Sequence, residues 1–574
     1  MNPPIGPYVR LPATVEPWDP RVLEAASAVV ALIAERRPDL RVEHIGSTAV
    51  PGLPGKGILD LAIATAPEDV PVVAAMLREL GFAPQPGPDP FPPSRPLLVG
   101  SIERAGTTFR IHCHVQPGTE ELGRDVAFRD ALRVDPALVA SYAALKTDIV
   151  EDETLEPHQY SYRKQAWITD VHRRLGIARP PIVPPATIGI LGGGQLGRMI
   201  GQAARAMGYR IAILDPDPAC PAAAIADRVI VSGYDDVGGA LRLAEASDVV
   251  TYELEHVATD VVDAVETLRP VRPGRLPLRI TQDRLAERRF LEAAGVAVAP
   301  WREIRTPDDL RIAADEIGLP LRLKVATGGY DGRGQLRIAR EEDLDDALAR
   351  LGRPAGEPLL LEAELAFRAE LSIVVARSLA GDIATYPLAC NRHQVGILVE
   401  SMAPASLEPG VSDGAVAIGQ RLAVLMGLTG TLTVELFLMP DGRLVANELA
   451  PRVHNSGHWT IEGAATSQFE QHVRAICGLD LGATDALSPT AMVNLLGAGP
   501  VRAARLEPGG LARAMADPTV HLHLYDKRQV FERRKMGHVT AMGPTTGEAL
   551  ARAQAALEEL HWEDAPGSTA GAGR

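Results

Sequence analysis

Two strand-like runs, Thr431-Leu-Thr-Val-Glu-Leu-Phe-Leu438 and Arg443-Leu-Val-Ala-Asn-Glu-Leu449, flank Met439-Pro-Asp-Gly442. Asp-Gly is among the strongest short signals for a β-hairpin. Folding the chain about Asp441-Gly442 sets Glu435 directly opposite Glu448 on one face, with Cβ atoms about 5 Å apart. Two ionised carboxylates that close repel unless a cation lies between them. Hard oxygen donors in this arrangement suit Mg²⁺, which takes its remaining oxygens from water and from substrate phosphates. The plainer alternative is a solvated face with two unrelated glutamates, although the apolar flanking residues argue for burial. A bulge would shift the register. In a regular strand Asn447, beside the pair, points to the opposite face.

Two glycine loops add to this. Leu321-Arg-Leu-Lys-Val-Ala-Thr-Gly-Gly-Tyr-Asp-Gly-Arg-Gly-Gln-Leu336 joins two strand-like runs through Gly328, Gly329, Gly332 and Gly334. Such a loop can fold its amides over a polyphosphate, and Lys324 supplies a compact positive charge for phosphate oxygens. A flexible surface hairpin is the alternative. Earlier, Ile188-Gly-Ile-Leu-Gly-Gly-Gly-Gln-Leu-Gly-Arg198 reads as strand, glycine loop and helix, with Gly192, Gly194 and Gly197 in the G-x-G-x-x-G spacing. The next strand ends at Asp215, where a ribose hydroxyl would be met. Alone, this loop favours a nicotinamide oxidoreductase, or a tight turn with no cofactor. Lys324, its loop and the Glu435/Glu448 pair together make ATP with Mg²⁺ the better expectation.

A length of 574 residues predicts three or four domains. Residues 1–178 read as α/β, with helices over Pro20–Arg37, Arg124–Val150 and Ser161–Leu175, strands at Val42–Ile45, Gly57–Ala64 and Thr108–Val115, and a five-proline loop over Gln85–Arg95. Four prolines within 178–186 mark a spacer and a boundary near 180. From 187 to about 270 strands and helices alternate as in a parallel sheet, and hairpin signals follow. The small-residue tail after 564 is expected to be disordered. A net charge of −15 excludes a general nucleic-acid or membrane-surface binder, which needs basic patches. The four cysteines are widely spaced, so neither disulfides nor a zinc site is expected. No apolar run approaches the ~20 residues of a membrane span. The opening residues lack a signal core, and the expectation is a cytoplasmic protein.

The C-terminal two thirds, 187–560, resemble the N5-carboxyaminoimidazole ribonucleotide synthases, an ATP-grasp family of purine synthesis. The resemblance rests on Gly192-Gly-Gly-Gln-Leu-Gly-Arg-Met199, Thr251-Tyr-Glu-Leu-Glu-His-Val257, Thr281-Gln-Asp-Arg284, Gly328–Gln335, Asn447-Glu-Leu-Ala-Pro-Arg-Val-His-Asn-Ser-Gly-His-Trp459, Val520-His-Leu-His523, Tyr525-Asp-Lys527 and Arg534-Lys-Met-Gly-His538. It implies a pre-ATP-grasp, Rossmann-like domain over 187–278, an ATP-grasp domain over 279–480 and a small C-terminal domain over 481–562, after a linker at 179–186 and before a tail at 563–574. It also implies ATP-dependent carboxylation of 5-aminoimidazole ribonucleotide by bicarbonate through carboxyphosphate, and a homodimer. Carried over, the ATP set is Arg284, Lys324, Gly329, Tyr330, Asp331, Gly332, Arg333, Gly334, Gln335, Glu362, Ala363, Glu364, Leu365, Glu370, His393, Asn447 and Glu448. Glu362 is expected near adenine or ribose. Glu435 and Glu448 are the implied Mg²⁺ ligands, and Gln195, Leu196, Lys527, Arg534 and Lys535 the ribonucleotide set, with the three basic residues clamping its 5′-phosphate. Glu253 or Glu255 would lie near the amine, with Arg452, His454 and His458 in the bicarbonate pocket; the histidines could equally be structural.

Departures from the family pattern cluster in the nucleotide-binding half: Val325-Ala326 after the lysine, Ala369 where an arginine is one place early, Cys390, and Val395 before Gly396. A formate-using phosphoribosylglycinamide transformylase and a non-catalytic nucleotide-binding scaffold are the competing readings. The N-terminal stretch Glu43-His-Ile-Gly-Ser-Thr-Ala-Val-Pro-Gly-Leu-Pro-Gly-Lys-Gly-Ile-Leu-Asp-Leu61 resembles the GrpB family, which implies a nucleotidyltransferase-like fold without a settled activity. Asp60 and the same-face pair His112 and His114, with Lys146 and Lys164, are its candidate residues, for a phosphate or a metal. A single carboxylate in Asp60-Leu-Ala62 is a poor two-metal site.

Overall fold

The computed structural model describes residues 3–9, 14–85, 95–151, 164, 167–168, 170–177, 179–329, 334–351 and 357–563. Most of the expected Gln85–Arg95 loop, much of the expected Ser161–Leu175 helix, and the tail lie outside these residues. The chain divides into two compact units, one of Met1–Pro181 with Glu266–Leu268 and one of Ile182–Val265 with Arg269–Arg574.

In the first unit a five-stranded sheet is ordered Arg41–Ile45, Ile58–Thr65, Thr107–Pro117, Leu97–Arg104 and Ala83–Pro84. Ile58–Thr65 and Thr107–Pro117 run parallel, and the other neighbours are antiparallel. Strand alternation sends Leu59, Leu61, Ile63, Ile111, Cys113 and Val115 into one core with the helices Val22–Arg36 and Val70–Glu79. The strand Leu97–Arg104, adjoining the proline-rich stretch, was not anticipated from sequence. The expected single helix over Arg124–Val150 is two, Glu120–Val134 and Pro136–Glu151. Asp135 turns extended, its carboxylate accepts the N–H groups of Ala137 and Leu138 at 2.9 and 3.0 Å, and Pro136 opens the second helix. Asp followed by Pro is a helix start, not a helix interior.

The second unit begins with a four-stranded sheet ordered Arg228–Val231, Arg210–Asp215, Thr187–Leu191 and Val249–Tyr252, all parallel, as the alternation of strands and helices requires. A four-stranded antiparallel sheet follows, ordered Trp301–Ile304, Leu359–Ala363, Leu321–Val325 and Gln335–Ile338. The largest sheet runs Leu444–Ala450, Gly430–Leu438, Ala369–Arg377, Ala389–Gln394, Ile397–Ala403, Thr490–Leu496, Lys535–Met542 and Val520–Leu524, with Ile383–Thr385 beside Ala369–Arg377. Its last three strands come from the stretch expected as a separate small domain, so one sheet crosses the expected boundary at 480. Among the described residues no helix is long and apolar enough to cross a membrane.

Ala389–Gln394 and Ile397–Ala403 are joined by Val395-Gly396, both at positive φ, 51° and 76°. That is a type I′ hairpin, which favours Asn-Gly, yet a β-branched valine holds the first position and is 74% exposed. A side chain in the left-handed region costs roughly 1–2 kcal/mol, which asparagine largely escapes. Val395→Asn is therefore expected to stabilise the second unit by about 1 kcal/mol, read as a higher urea midpoint with an unchanged m-value. An unchanged or lower midpoint would mean that the valine is not strained.

Candidate active site

Along Gly430–Leu438, residues Leu432, Val434, Leu436 and Leu438 are buried in a core with the helix Pro409–Leu425, so Thr431, Thr433 and Glu435 face the other side. Glu435 pairs with Glu448 and with Ser372. The hairpin reaches this pairing by two offsets. At the turn the Met439 N–H donates to the Arg443 carbonyl at 2.9 Å, so the strands pivot at Asp441 alone. Farther on, Leu436 pairs with Ala446 and the register slips, leaving Asn447 as a bulge residue. The slip returns the one residue that the pivot took, and the acids face each other. Asn447 does not point away as a regular strand would require: its amide lies 3.4 Å from Glu435 Oε2.

Basic groups gather against Glu448. Arg284 lies 3.5 Å from it, at the start of the helix Arg284–Ala293. One turn on, the buried Glu287 accepts the Leu449 N–H at 2.7 Å, and the buried Arg288 donates to Glu287 at 3.1 Å and to Glu362 at 2.9 Å. Lys324 binds the other oxygen of Glu362. Glu362 is therefore not open to adenine or ribose through its carboxylate; it anchors Lys324 and Arg288 where the strands Leu321–Val325 and Leu359–Ala363 pair. Glu287 and Arg288 escaped the sequence reading because no loop or motif marks them. The available signal was the stripe at 284, 287, 288 and 291, where charged residues share a helix face with buried Leu291.

The carboxylates divide electrostatically. Burial pushes Glu362 up, but Lys324 and Arg288 outweigh it and hold the group down at about 2. Desolvation opposes charge on Glu448 although its side chain is 48% exposed, and Arg284 and Lys324 bring it below its ordinary value. Glu287 is pushed up to about 7, burial and Glu448 prevailing over Arg288 and Arg284. Burial raises Glu435 as well, against His393, with Glu448 adding to the rise. His454 Nε2 lies 3.7 Å from Glu435 Oε1. Burial opposes charge on His393, but Glu370, 2.7 Å from its Nδ1, brings the net shift upward. The paired carboxylates of Glu435 and Glu448 offer hard oxygen donors of the kind that Mg²⁺ selects.

The other expected residues fall into two groups. In the glycine loop after Lys324, Tyr330, Asp331, Gly332 and Arg333 lie outside the described residues, while Gln335 pairs with Lys324 across the strands, Gly329 precedes them and the Gly334 carbonyl accepts the Val325 N–H at 2.8 Å. The Ala363 N–H donates to Pro300, Glu364 holds Arg322 and Arg337 at 2.6 Å each, and Leu365 is half-buried. A cavity of about 170 Å³, lined by Val325, Ala326, Thr327, Glu357 and Pro358, lies at the end of the strands Leu321–Val325 and Leu359–Ala363 away from Ala363.

Around the first glycine loop the anion is the protein's own. Glu253 accepts the N–H groups of Gly194 and Gly197, and Asp215 accepts that of Gly193 at 2.8 Å and the Tyr234 hydroxyl at 2.7 Å. Asp215 thus braces the loop and is not presented to a ribose. The Cβ positions of Gly192 and Gly194 lie 2.4 and 2.6 Å from Glu253 atoms, so the loop needs glycine to admit this carboxylate. Burial raises Glu253 above its ordinary value. Glu255 meets Arg452 bidentately, at 2.8 and 3.0 Å. Gln195, half-buried, and Leu196, buried, open the helix after the loop. Lys527 donates to the Lys535 carbonyl at 2.8 Å and Arg534 to that of Gln529 at 2.8 Å, so the basic residues meet across one turn. His454 Nδ1 is 2.9 Å from Ser456 Oγ, and burial holds the imidazole well below its ordinary value.

Comparison with known proteins bears on the whole chain. Residues 185–282 match the ribonucleotide synthetase preATP-grasp domain, 289–469 the ATP-grasp domain, 490–552 the phosphoribosylaminoimidazole carboxylase C-terminal domain, and 12–174 the GrpB protein family. The chain is 43% identical over 361 residues to the N5-carboxyaminoimidazole ribonucleotide synthase of Bacillus subtilis, covering 63% of this chain and 92% of that protein. It is similar to the crystal structure of an ADP complex of N5-carboxyaminoimidazole ribonucleotide synthetase, with a TM-score of 0.61 and 40% identity over 67% of this chain and 98% of the other. The Aspergillus clavatus synthase in complex with ADP and 5-aminoimidazole ribonucleotide gives 0.59 and 31%, over 65% and 98%.

Glu362 makes the site's electrostatics measurable. A carboxylate held at about 2 contributes stability that is complete above its ordinary 4.5 and lost as pH falls through about 2. The carboxylate side amounts to about 3 kcal/mol, of which Lys324 returns some, since burial holds the lysine below its ordinary value. Glu362→Gln should destabilise the second unit by about 3–5 kcal/mol at neutral pH. The gap from the parent protein in denaturant midpoint should close on acidification below about 4.5. A gap independent of pH would show that packing, not charge, is what the substitution removes.

Proposed function

We infer the reaction from kinship: the chain belongs to the N5-carboxyaminoimidazole ribonucleotide synthase family, and it carboxylates the amino group of 5-aminoimidazole ribonucleotide with ATP and bicarbonate in purine biosynthesis. The observation that carries the inference is Glu435 opposite Glu448, with Arg284 against Glu448 and Lys324 held beside it by Glu362. ATP binds at the glycine loop that follows Lys324. A bicarbonate oxygen attacks the γ-phosphorus, the bond to the bridging oxygen of ADP breaks, and carboxyphosphate forms. Its carboxyl group then passes as CO₂ to the amine, with loss of phosphate and of one amine proton.

Within this reading, Arg284 and Lys324 bind the polyphosphate, whose negative charge grows as the phosphoryl group moves. Mg²⁺, for which Glu435 and Glu448 with Asn447 beside them are a fitting oxygen set, would neutralise phosphate charge. Glu253 takes the amine proton: burial raises its carboxylate toward a working basicity, whereas Glu255 is committed to Arg452. Arg452 and His454 orient bicarbonate. The first glycine loop, through Gln195 and Leu196, seats the ribonucleotide, and Lys527, Arg534 and Lys535 meet its 5′-phosphate. The assembly is a cytoplasmic homodimer.

Phosphate release from ATP with bicarbonate is expected to rise on adding 5-aminoimidazole ribonucleotide, and not with glycinamide ribonucleotide and formate. The opposite preference would replace this assignment with the transformylase, and ATP binding without turnover would replace it with a scaffold. Glu435→Gln should lower kcat about 100-fold or more, while Asp441→Asn at the exposed turn should leave it unchanged. A Glu435→Gln enzyme with parental kcat would remove the carboxylate pair from the mechanism.

A further inference from the structure

We propose that the first unit holds a divalent transition-metal ion between Asp60, His112 and His114. The argument begins with strand pairing. Ile58–Thr65 and Thr107–Pro117 run parallel with Asp60 in register with His112 and Ala62 in register with His114. Alternation places all three polar side chains on the face opposite the apolar core, while Leu59, Leu61, Ile111 and Cys113 take the buried positions. Cys113, between the histidines in sequence, is thereby directed away from them.

The spacing of the donor atoms favours an ion over direct contact. Asp60 Oδ1 lies 3.5 Å from His112 Nδ1 and 3.7 Å from His114 Nε2, and the three donors lie within 4.8 Å of one another. These gaps exceed the 2.7–3.2 Å of an ordinary N–H···O hydrogen bond. Ligands about 2.0–2.1 Å from a common ion stand roughly 3.0–3.5 Å apart, close to what is seen. The surroundings orient the set. Tyr8 Oη is 3.1 Å from His112 Nε2, an outer partner of the kind that fixes a ligand imidazole with its other nitrogen toward the metal. Gly46, at φ 72°, brings its backbone against Asp60; a Cβ there would sit 2.4 Å from Oδ2, so the second carboxylate oxygen is enclosed by the turn while Oδ1 faces the imidazoles.

Two imidazole nitrogens and one carboxylate oxygen suit Zn²⁺, Fe²⁺ or Co²⁺ better than Mg²⁺ or Ca²⁺, which prefer oxygen alone. Three protein ligands leave positions for water or for an exogenous ligand. Asp60, His112 and His114 are 25%, 16% and 23% exposed, enough for an ion to reach them. Lys146 does not join them: its ammonium donates to the Pro54 carbonyl at 2.9 Å and covers the Tyr142 ring at 4.2 Å.

The test uses the full-length protein stripped with chelator and titrated with Co²⁺, whose ligand-field absorption reports nitrogen coordination. One Co²⁺ per chain with a visible spectrum is expected, and Zn²⁺ should displace it. Asp60→Asn and His114→Ala should each weaken binding about tenfold or more, and Glu435→Gln, in the second unit, should not. Thermal melting checks that each variant is folded; Asp60→Asn, which keeps the side-chain shape, decides the matter if the alanine variant is not. Absence of a Co²⁺ spectrum in the parent protein, or equal affinity in a folded Asp60→Asn or His114→Ala variant, would overturn the site.

Discussion

Glu287 and Glu362 are buried, Glu435 is largely so and Glu448 is half exposed, and a carboxylate taken out of water without compensation costs several kcal/mol. The neighbouring cations answer that cost unevenly. Arg284, Arg288 and Lys324 stand against Glu448 and Glu362, which are held below their ordinary values. Around Glu435, beside an imidazole at 3.7 Å and an amide at 3.4 Å, the charges of His393 and Lys535 do not offset desolvation, and its value rises. The imbalance has a structural origin. The cations come from the helix Arg284–Ala293 and the strand Leu321–Val325, which meet the Glu448 side of the hairpin, whereas Glu435 lies beside Ala369–Arg377, itself bearing Glu370. A divalent ion between Glu435 and Glu448 would complete the compensation that the side chains leave partial.

The sequence made the glutamate pairing legible, though not the route to it. Hairpin partners follow from a turn signal and a count, and both lie within twenty residues of chain. The count assumed a regular ladder and a pivot between Asp441 and Gly442. The strands instead pivot at Asp441 and recover the residue at Asn447, so the two errors cancel at Glu435 and Glu448 but not at Asn447. Lys324 was legible as a positive charge beside a glycine loop, yet its partner was not. The pairing of Leu321–Val325 with Leu359–Ala363 spans about forty residues, and no local pattern specifies which acid lands beside the lysine. Glu287 and Arg288 were missed for the same reason: a charged residue on a helix reads as solvent-facing until the surface that buries it is known.

The first glycine loop teaches a related lesson. Its spacing predicts close approach of an anion to backbone N–H groups, and an anion does approach. That anion is Glu253, delivered by the strand Val249–Tyr252, which pairs directly with Thr187–Leu191. Glycine was needed for the reason the motif implies, since a Cβ at Gly194 or Gly197 would meet the carboxylate or the Gly192 carbonyl. A motif of this kind specifies backbone geometry and the sign of the charge it receives. It does not specify whether that charge belongs to a nucleotide, a substrate or the chain itself, and Asp215 bracing Gly193 extends the same point to the acid expected at a ribose.

Strand alternation organises both units, and the composition of the polar face then decides what each can hold. In the second unit the face carries Thr433, Glu435 and Phe437 opposite Glu448, so every charged donor on that hairpin is a carboxylate. In the first it carries Asp60, His112 and His114, with one oxygen among three donors. The backs of both are apolar and buried, which fixes the register, because a one-residue slip would exchange core and polar faces. Placement of these side chains is therefore a consequence of core packing, and does not depend on an ion to assemble it. Donor chemistry separates the two faces: oxygen alone for an ion that keeps its waters and meets phosphate, imidazole with carboxylate for a softer one. On the proposed readings the two units would take different metals through side chains that the same packing rule places.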